Sequence, residues 1–277
     1  MNAQRDAHIT HIGIMGCGSI GSRIAESVDK SFSSFARLSG IYDLDPRKTE
    51  SLSQKLNQPQ LVASSLDQLL DGADLIVEAV HADNTPDLLQ RILENGKDVL
   101  VMSVGKLLGS DHLFETARTA GRRIIVPSGA VAGIDAVRAA AIAGIETITL
   151  TTCKPPASLE GAPYLAARNI SISSIAGETT IFEGGVHDAV AAFPQNINVA
   201  AAVALASNAH DKLRIRIVSS PEFRYNRHEI HVTGAFGQIT TITENLACPD
   251  NPKTSYLAVL SGIEALRSFC QTTKIGT

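Results

Sequence analysis

Three glycines near the start of the chain stand at the spacing of a dinucleotide-binding turn. Gly16, Gly18 and Gly21 form a G-x-G-x-x-G motif, with Ser19 and Ile20 between the last two. In such a turn the first glycine permits a sharp bend, the second lets a pyrophosphate approach the backbone, and the third lets the next helix pack closely. The amino terminus of that helix then faces the phosphates. The motif alone is a weak signal, so its surroundings decide how it is interpreted.

The surroundings of the motif favour a nucleotide site. Residues 11–15 are an apolar run typical of a buried strand, and helical spacing of apolar residues follows the glycines. Asp43 stands about 20 positions after the motif, at the end of a second predicted strand. A carboxylate at this position accepts hydrogen bonds from ribose hydroxyls. Because a carboxylate repels a 2′-phosphate, Asp43 favours NAD. Arg47 is close enough in sequence to bind that phosphate, so use of NADP stays open.

Two polar stretches in the second half of the chain offer proton transfer and anion binding. Residues 226–231 read NRHEIH, and a strand starting there places His228 on the face of Ile230 and Val232. A histidine at that position is either a base beside a substrate or a structural residue at a strand end. Lys154 precedes two prolines that stiffen the chain, so its amine is either aimed at an anion or part of a rigid strand exit.

The elements around the glycine motif predict an α/β domain. Apolar runs at 38–43, 74–80, 99–104 and 123–126 are typical of strands, and helical patterns separate them. Strands that alternate with helices form a parallel sheet with helices on its faces. We therefore predict an N-terminal Rossmann domain with a doubly wound parallel sheet.

The second half of the chain predicts an α+β domain with a mixed or antiparallel sheet. Residues 146–152, 214–218 and 238–244 alternate between apolar and polar types, as half-buried strands do. Such alternation leaves one sheet face for helices and the other for solvent, substrate or a partner subunit. The helix predicted at 254–270 is expected to return to the first domain. Residues 1–130 with 250–277 are therefore assigned to the dinucleotide domain, and residues 131–249 to the catalytic and dimerisation domain.

Composition narrows the class of protein. The chain has 277 residues, enough for two domains, with a net charge of -4 and no tryptophan. This charge lacks the basic footprint of a nucleic-acid-binding protein, so no nucleic-acid partner is expected. The four cysteines form no C-x-x-C pair, so no metal is expected. The longest apolar stretch, residues 199–206, is too short for a membrane span, and we predict a soluble cytoplasmic protein.

Seven short strings give the sequence a more specific resemblance. They are PSGA at 127–130, GID at 133–135, KPP at 154–156, IFEG at 181–184, FPQNINVA at 193–200, NRH at 226–228 and ENLACPDNPKTS at 244–255. In this order they resemble the L-aspartate dehydrogenase family. With the glycine motif, the resemblance extends over nearly the whole chain.

The resemblance implies an activity and a set of residue roles. Members of the family form dimers and oxidise L-aspartate with NAD(P)+ to iminoaspartate, which yields oxaloacetate and ammonia and in some bacteria feeds NAD biosynthesis. The catalytic histidine of the family falls on His228, and its contacts to nicotinamide fall on Ala130 and Asn196. An imidazole with an ordinary pKa near ~6.5 would deprotonate the water that attacks the imine. A dicarboxylate also needs cationic partners, for which Lys154 and Arg168 are candidates.

Two other interpretations remain open at this stage. One is a reductase or dehydrogenase of the dihydrodipicolinate reductase or homoserine dehydrogenase kind, which would share the two-domain plan. The other is a dinucleotide-binding regulator without catalytic activity. The NRH and FPQN strings argue against both.

Overall fold

The computed structural model describes residues 9–193 and 197–276, without the side chains of Pro252 and Lys253. The chain folds into two compact units. The first runs to Pro127 and takes up the chain again at Gly262–Lys274, and the second comprises Ser128–Ser261 with Ile275 and Gly276. The boundary at residues 127–128 lies close to the predicted one at 130. The boundary at 261–262 lies inside the last helix, beyond the predicted one at 250.

The first unit is a five-stranded parallel sheet with helices. Its strands are β1 (Thr10–Met15), β2 (Ala36–Tyr42), β3 (Leu75–Glu78), β4 (Asp98–Val101) and β5 (Ile124–Ile125). Its helices are α1 (Ser19–Ser31), α2 (Pro46–Leu56), α3 (Leu66–Asp71), α4 (Thr85–Glu94) and α5 (Asp111–Ala120). The strand order is β2-β1-β3-β4-β5 with every pair parallel. This arrangement confirms the predicted Rossmann-type sheet, in which the order of strand addition switches sides between β1 and β3.

The apolar periodicity of the sequence explains this packing. Ile12 and Ile14 of β1 are completely buried, and Ile24 and Val28 of α1 lie one turn apart in the same hydrophobic cluster. The last helix, α10 (Tyr256–Cys270), adds Leu266 to that cluster. Glycine and apolar side chains therefore bring α1 directly against the strand that precedes it.

The second unit is built on a mixed sheet, as predicted. Its strands are β6 (Ile145–Lys154), β7 (Thr179–Gly184), β8 (Leu213–Ser219), β9 (Asn226–Gly234) and β10 (Gly237–Asn245), in the order β10-β9-β6-β8-β7. Only β6 and β8 run parallel among these neighbours. A small ribbon pairs β11 (Ala247–Cys248) with β12 (Asn251–Ser255), and β12 takes up the residues predicted to start the last helix. Helices α6 (Ile134–Ala143), α7 (Pro163–Ala167), α8 (Val186–Ala192) and α9 (Asn198–Ser207) complete the unit.

The two faces of the second sheet differ in burial. Leu150 of β6 and Ile230 of β9 are cross-strand partners on a buried face, and helix α9 packs against that side of β6. Thr151 and Glu229, the next pair along, lie on the opposite face and are half-buried. The alternation therefore sorts the residues as a strand period of two requires. Within the described residues, none of the helices has the length and apolar character needed to cross a membrane.

Candidate active site

The predicted glycine turn connects β1 to α1. Gly16 has a positive φ of 101°, and a Cβ there would approach the carbonyl oxygen of Ala79 to 2.5 Å. A Cβ on Gly21 would collide with the carbonyl oxygen of Gly16, so this glycine allows the helix to meet the turn. Gly18 differs, because a Cβ there would meet no atom within 4 Å. The open space at Gly18, just before the first residue of α1 at Ser19, fits an approaching pyrophosphate.

Asp43 follows β2 and is fixed by backbone groups of the turn. The amide of Cys17 donates to its Oδ2 at 2.8 Å, and the amide of Asp45 donates to its Oδ1 at 2.9 Å. Lys48 lies nearby, with Nζ 3.9 Å from Asp43 Oδ1. Arg47, the residue that the sequence offered for a 2′-phosphate, instead donates from Nε and Nη2 to both carboxylate oxygens of Asp45, each at 2.9 Å. The positive charge beside the Asp43 carboxylate is therefore that of Lys48.

Glu78 is a buried acid that the sequence did not indicate, and it lies at the carboxyl end of β3 in the parallel sheet. Glu78 ends β3 and is completely buried. Its carboxylate accepts from the amide of Val80 at 2.9 Å, and from the amide and hydroxyl of Ser103 at 3.1 and 2.7 Å. Burial raises the pKa of this carboxyl group. Glu78 thus ties the end of β3 to the chain after β4, beside the glycine turn. The only sequence signal was an acid at the end of an apolar run.

His228 lies on β9, directly opposite Thr152 of β6. Its Nδ1 is 3.1 Å from Thr152 Oγ1, and its side chain is buried on the helix-covered face. Burial and the charge of Lys154 lower the pKa of His228 to about 3, well below the ordinary value that the sequence suggested. The imidazole is therefore neutral at physiological pH. Its Nδ1 contacts the Thr152 hydroxyl, and in the tautomer with the proton on Nδ1 the lone pair lies on Nε2.

Lys154 is the last residue of β6, on the same face of the sheet as Thr152. It is only 7% exposed, and burial lowers the pKa of its amine to about 8. Lys154 and Thr152 border a cavity of about 10 Å³, the size that one water molecule requires. Arg168, the other cation proposed for a substrate carboxylate, is exposed at the end of α7, where its guanidinium lies 5.3 Å from the ring centre of Tyr164.

Of the two residues that the resemblance implied for contact with nicotinamide, the structure describes Ala130. Ala130 is buried, and its carbonyl oxygen accepts from Asn245 Nδ2 at 3.0 Å. The same Nδ2 lies 3.4 Å from the carbonyl oxygen of Asn226, so Asn245 links Ala130 to the strand of His228. Asn245 belongs to the ENLACPDNPKTS string, and the sequence predicted no role for it. Asn196 lies outside the described residues. In the described part of the chain, no three His, Cys, Asp or Glu side chains gather as metal ligands would.

Dehydrogenases that use a nicotinamide dinucleotide combine a glycine turn and a ribose-binding acid in one domain with a substrate-binding domain that supplies proton transfer. The chain belongs to this class. Residues 16–127 match the family model described as homoserine dehydrogenase, NAD binding domain. Residues 135–269 match the model described as aspartate dehydrogenase, C-terminal. The two models together extend over most of the chain.

Curated relatives then identify the family. An L-aspartate dehydrogenase of Methanosarcina barkeri is 40% identical over 96% of this chain and 99% of its own length. That of Nitrosopumilus maritimus is 37% identical over 94% of this chain and 96% of its own. The chain belongs to the L-aspartate dehydrogenase family, as the sequence resemblance predicted.

Solved structures agree with the fold. A crystal structure of aspartate dehydrogenase from Thermotoga maritima superposes with a TM-score of 0.74, at 23% identity, over 97% of this chain and 100% of that one. A homoserine dehydrogenase from Thiobacillus denitrificans has a TM-score of 0.60 at 14% identity, over 93% of this chain and 72% of that one. The two-domain plan is thus shared with enzymes of other substrates, and the fold alone does not select aspartate.

Proposed function

We propose that the protein oxidises L-aspartate with NAD(P)+ to iminoaspartate, which water converts to oxaloacetate and ammonia. The observation that carries this proposal is the neutral His228, buried and oriented by Thr152, in a chain whose curated relatives are L-aspartate dehydrogenases. A homoserine dehydrogenase activity is the second candidate, because the dinucleotide domain matches the homoserine dehydrogenase model. The match of the second domain favours aspartate.

The cofactor is proposed to bind along the glycine turn. The open space at Gly18 and the start of α1 at Ser19 and Ile20 suit the pyrophosphate, while Gly16 and Gly21 shape the turn. Asp43 accepts ribose hydroxyls, and Ala130 and Asn196 are assigned to the nicotinamide side. When bound, NAD(P)+ supplies the hydride acceptor that the reaction needs.

His228 is proposed to act on water. In the tautomer whose Nδ1–H donates to Thr152 Oγ1, Nε2 can take a proton from the water that attacks the imine carbon. Because the pKa of His228 is lowered to about 3, the imidazole is uncharged throughout the physiological range, and as a weak base it readily passes on a proton that it takes up. The sequence offered two cations for the substrate carboxylates. Arg168 carries a permanent charge and is proposed for one carboxylate, whereas Lys154 lies on the sheet face that carries His228, two residues beyond Thr152.

The same reasoning extends to assembly and compartment. We propose a homodimer formed through the face of the second sheet that helices leave open. Arg227 lies on this face, and its buried Nε has no hydrogen-bond partner among the described residues, which suits an acceptor from a second subunit. All four cysteines are free thiols, which supports a reducing compartment such as the cytoplasm.

The activity is tested by following the absorbance of reduced nicotinamide at alkaline pH. L-Aspartate is offered with NAD+ or NADP+, and D-aspartate, L-glutamate and L-homoserine are run in parallel. Reduction that depends on L-aspartate is expected. If L-homoserine alone reacts, or if L-aspartate and the reverse mixture of oxaloacetate with ammonia both stay silent, the proposed substrate is wrong.

The role of His228 is tested with His228→Gln. The amide keeps a polar group opposite Thr152 but is not a base, so kcat is expected to fall by about 10²–10⁴-fold. The Kd for NAD+, measured by calorimetry, is expected to stay unchanged because the glycine turn lies on other elements. Retained turnover would remove His228 from the mechanism.

A further inference from the structure

The proposed oxidation needs a proton acceptor that His228 does not provide. An amino acid carries an ammonium group near neutral pH, and the nitrogen has no lone pair with which to form an imine as hydride leaves Cα. One proton must therefore leave the ammonium group before the oxidation step. In the proposed function His228 acts later, on the water that attacks the imine.

Lys154 is the described group best placed to take this proton. Side chains two apart on a strand share a face at a spacing of about 7 Å, so Lys154 follows Thr152 on the face that carries His228. Lys154 lines the same small cavity as Thr152, the residue that His228 contacts at 3.1 Å, so the two groups are neighbours on this face. A base for the amine and a base for water would then stand side by side on adjacent strands.

The surroundings of Lys154 favour its neutral form. The small cavity that Lys154 lines is bordered mainly by apolar side chains: Leu159 before α7, Ala189 on α8, Phe193 at the end of α8, Ile197 and Ala200 at α9, and Ile215 and Ile217 on β8. His228 on β9 is a titratable neighbour of Lys154 and is itself neutral. Burial in this setting lowers the pKa of Lys154 to about 8, so a large share of the amine is uncharged under mildly alkaline conditions.

We propose that neutral Lys154 removes the proton from the ammonium group of bound L-aspartate, so that Lys154 is a second catalytic base and not a permanent cation for a carboxylate. This inference rests on the proposed function. In this step an N–H bond of the substrate breaks and its electron pair becomes the lone pair of the amine. The proton forms a new bond at Lys154 Nζ and returns to solvent before the next turnover.

The test compares three variants across alkaline pH. Lys154→Arg keeps the positive charge but does not release a proton, because a guanidinium stays ionised. Lys154→Ala leaves a space that a small amine in solution can enter. Lys30→Met, on the exposed surface of α1, makes a comparable change away from the site and serves as the control.

A base and a carboxylate ligand give opposite results. If Lys154 is the base, Lys154→Arg lowers kcat by about 10²-fold or more while KM changes little. In wild type, kcat/KM rises with pH and levels off above the pKa of Lys154, which is about 8. In the arginine variant that plateau disappears, and the rate follows the free amine form of the substrate. If Lys154 only anchors a carboxylate, Lys154→Arg retains kcat, and this result would overturn the proposal.

Two further measurements keep the result decisive. If Lys154→Arg does not fold, added methylamine should restore turnover of folded Lys154→Ala in proportion to its unprotonated concentration, and absence of rescue rejects the base. Separately, the Nζ titration of Lys154 is followed by NMR in ¹⁵N-lysine-labelled wild type, with Lys154→Arg or Lys154→Ala identifying the signal. A titration midpoint of about 8 supports the inference, and a midpoint at the ordinary value for a lysine side chain opposes it. This readout needs no turnover, so it separates failure of the base assignment from failure of the proposed substrate.

Discussion

At the scale of single residues, neighbouring side chains differ sharply in what they can reach. Arg47 and Lys48 are consecutive in α2, yet Arg47 engages Asp45 while Lys48 lies 3.9 Å from Asp43. Consecutive helical residues point about 100° apart, since a turn holds 3.6 residues. A 2′-phosphate on the ribose would therefore meet the Asp43 carboxylate together with Lys48, which offsets part of the repulsion.

This arrangement predicts that Lys48 determines whether NADP is accepted. Lys48→Met is expected to raise the Kd for NADP+ by about tenfold, the equivalent of one charge-assisted contact, and to leave the Kd for NAD+ nearly unchanged. Arg47→Met is the matched control and should alter neither value. Calorimetry suits the measurement because the chain has no tryptophan to report binding. Loss of NADP+ binding in Arg47→Met instead would show that Arg47 leaves Asp45 when the cofactor binds.

At the scale of elements, two glycines of the turn have different roles: one is required for packing of the helix and the other for access of the cofactor. Gly21 and Gly18 stand in the same turn, but a Cβ on Gly21 collides with the backbone at Gly16 whereas a Cβ on Gly18 meets open space. Gly21→Ala is therefore expected to lower Tm, since α1 must move away from β1. Gly18→Ala should keep Tm and raise the Kd for NAD+ by tenfold or more, on the order of the cost of displacing a charge-assisted bond. Equal binding by Gly18→Ala would place the pyrophosphate elsewhere.

The same scale explains what the sequence could and could not predict. The strand, glycine turn, helix and Asp43 are close in the chain, so local periodicity and spacing were sufficient for them. The pairing of Thr152 with His228 depends on the register of two strands distant in sequence, which periodicity does not determine. Lys154 and His228 could therefore be proposed separately, but the effect of Lys154 on the pKa of His228 could not be predicted. Glu78 was hidden because its run of residues resembles any buried strand.

At the scale of the whole molecule, the open face of the second sheet is the surface proposed for dimerisation. On β10, Ile242 is 52% exposed, and it pairs with Glu229 of β9 on this face. Thr149 and Thr151 of β6 continue the face at half-burial. A broad sheet surface that combines short hydroxyl side chains with an exposed isoleucine can pack flat against its own copy, and twofold symmetry would then give each subunit the same contacts.

The proposed homodimer is tested by mass in solution. Wild type is expected to have twice the mass of the chain by light scattering, and Ile242→Lys is expected to shift the protein toward monomer because a charge would be buried at the interface. Ile142→Lys is the matched control, since Ile142 is 91% exposed on α6 and lies off this face, so the dimer should persist. A wild-type monomer at micromolar concentration, or dissociation caused equally by both lysines, would refute this interface. Arg227 Nε has no hydrogen-bond partner within the part of the chain that the structure describes. If its acceptor lies across the same contact, Arg227→Met should weaken the dimer as well, since it removes the guanidinium that the partner would satisfy.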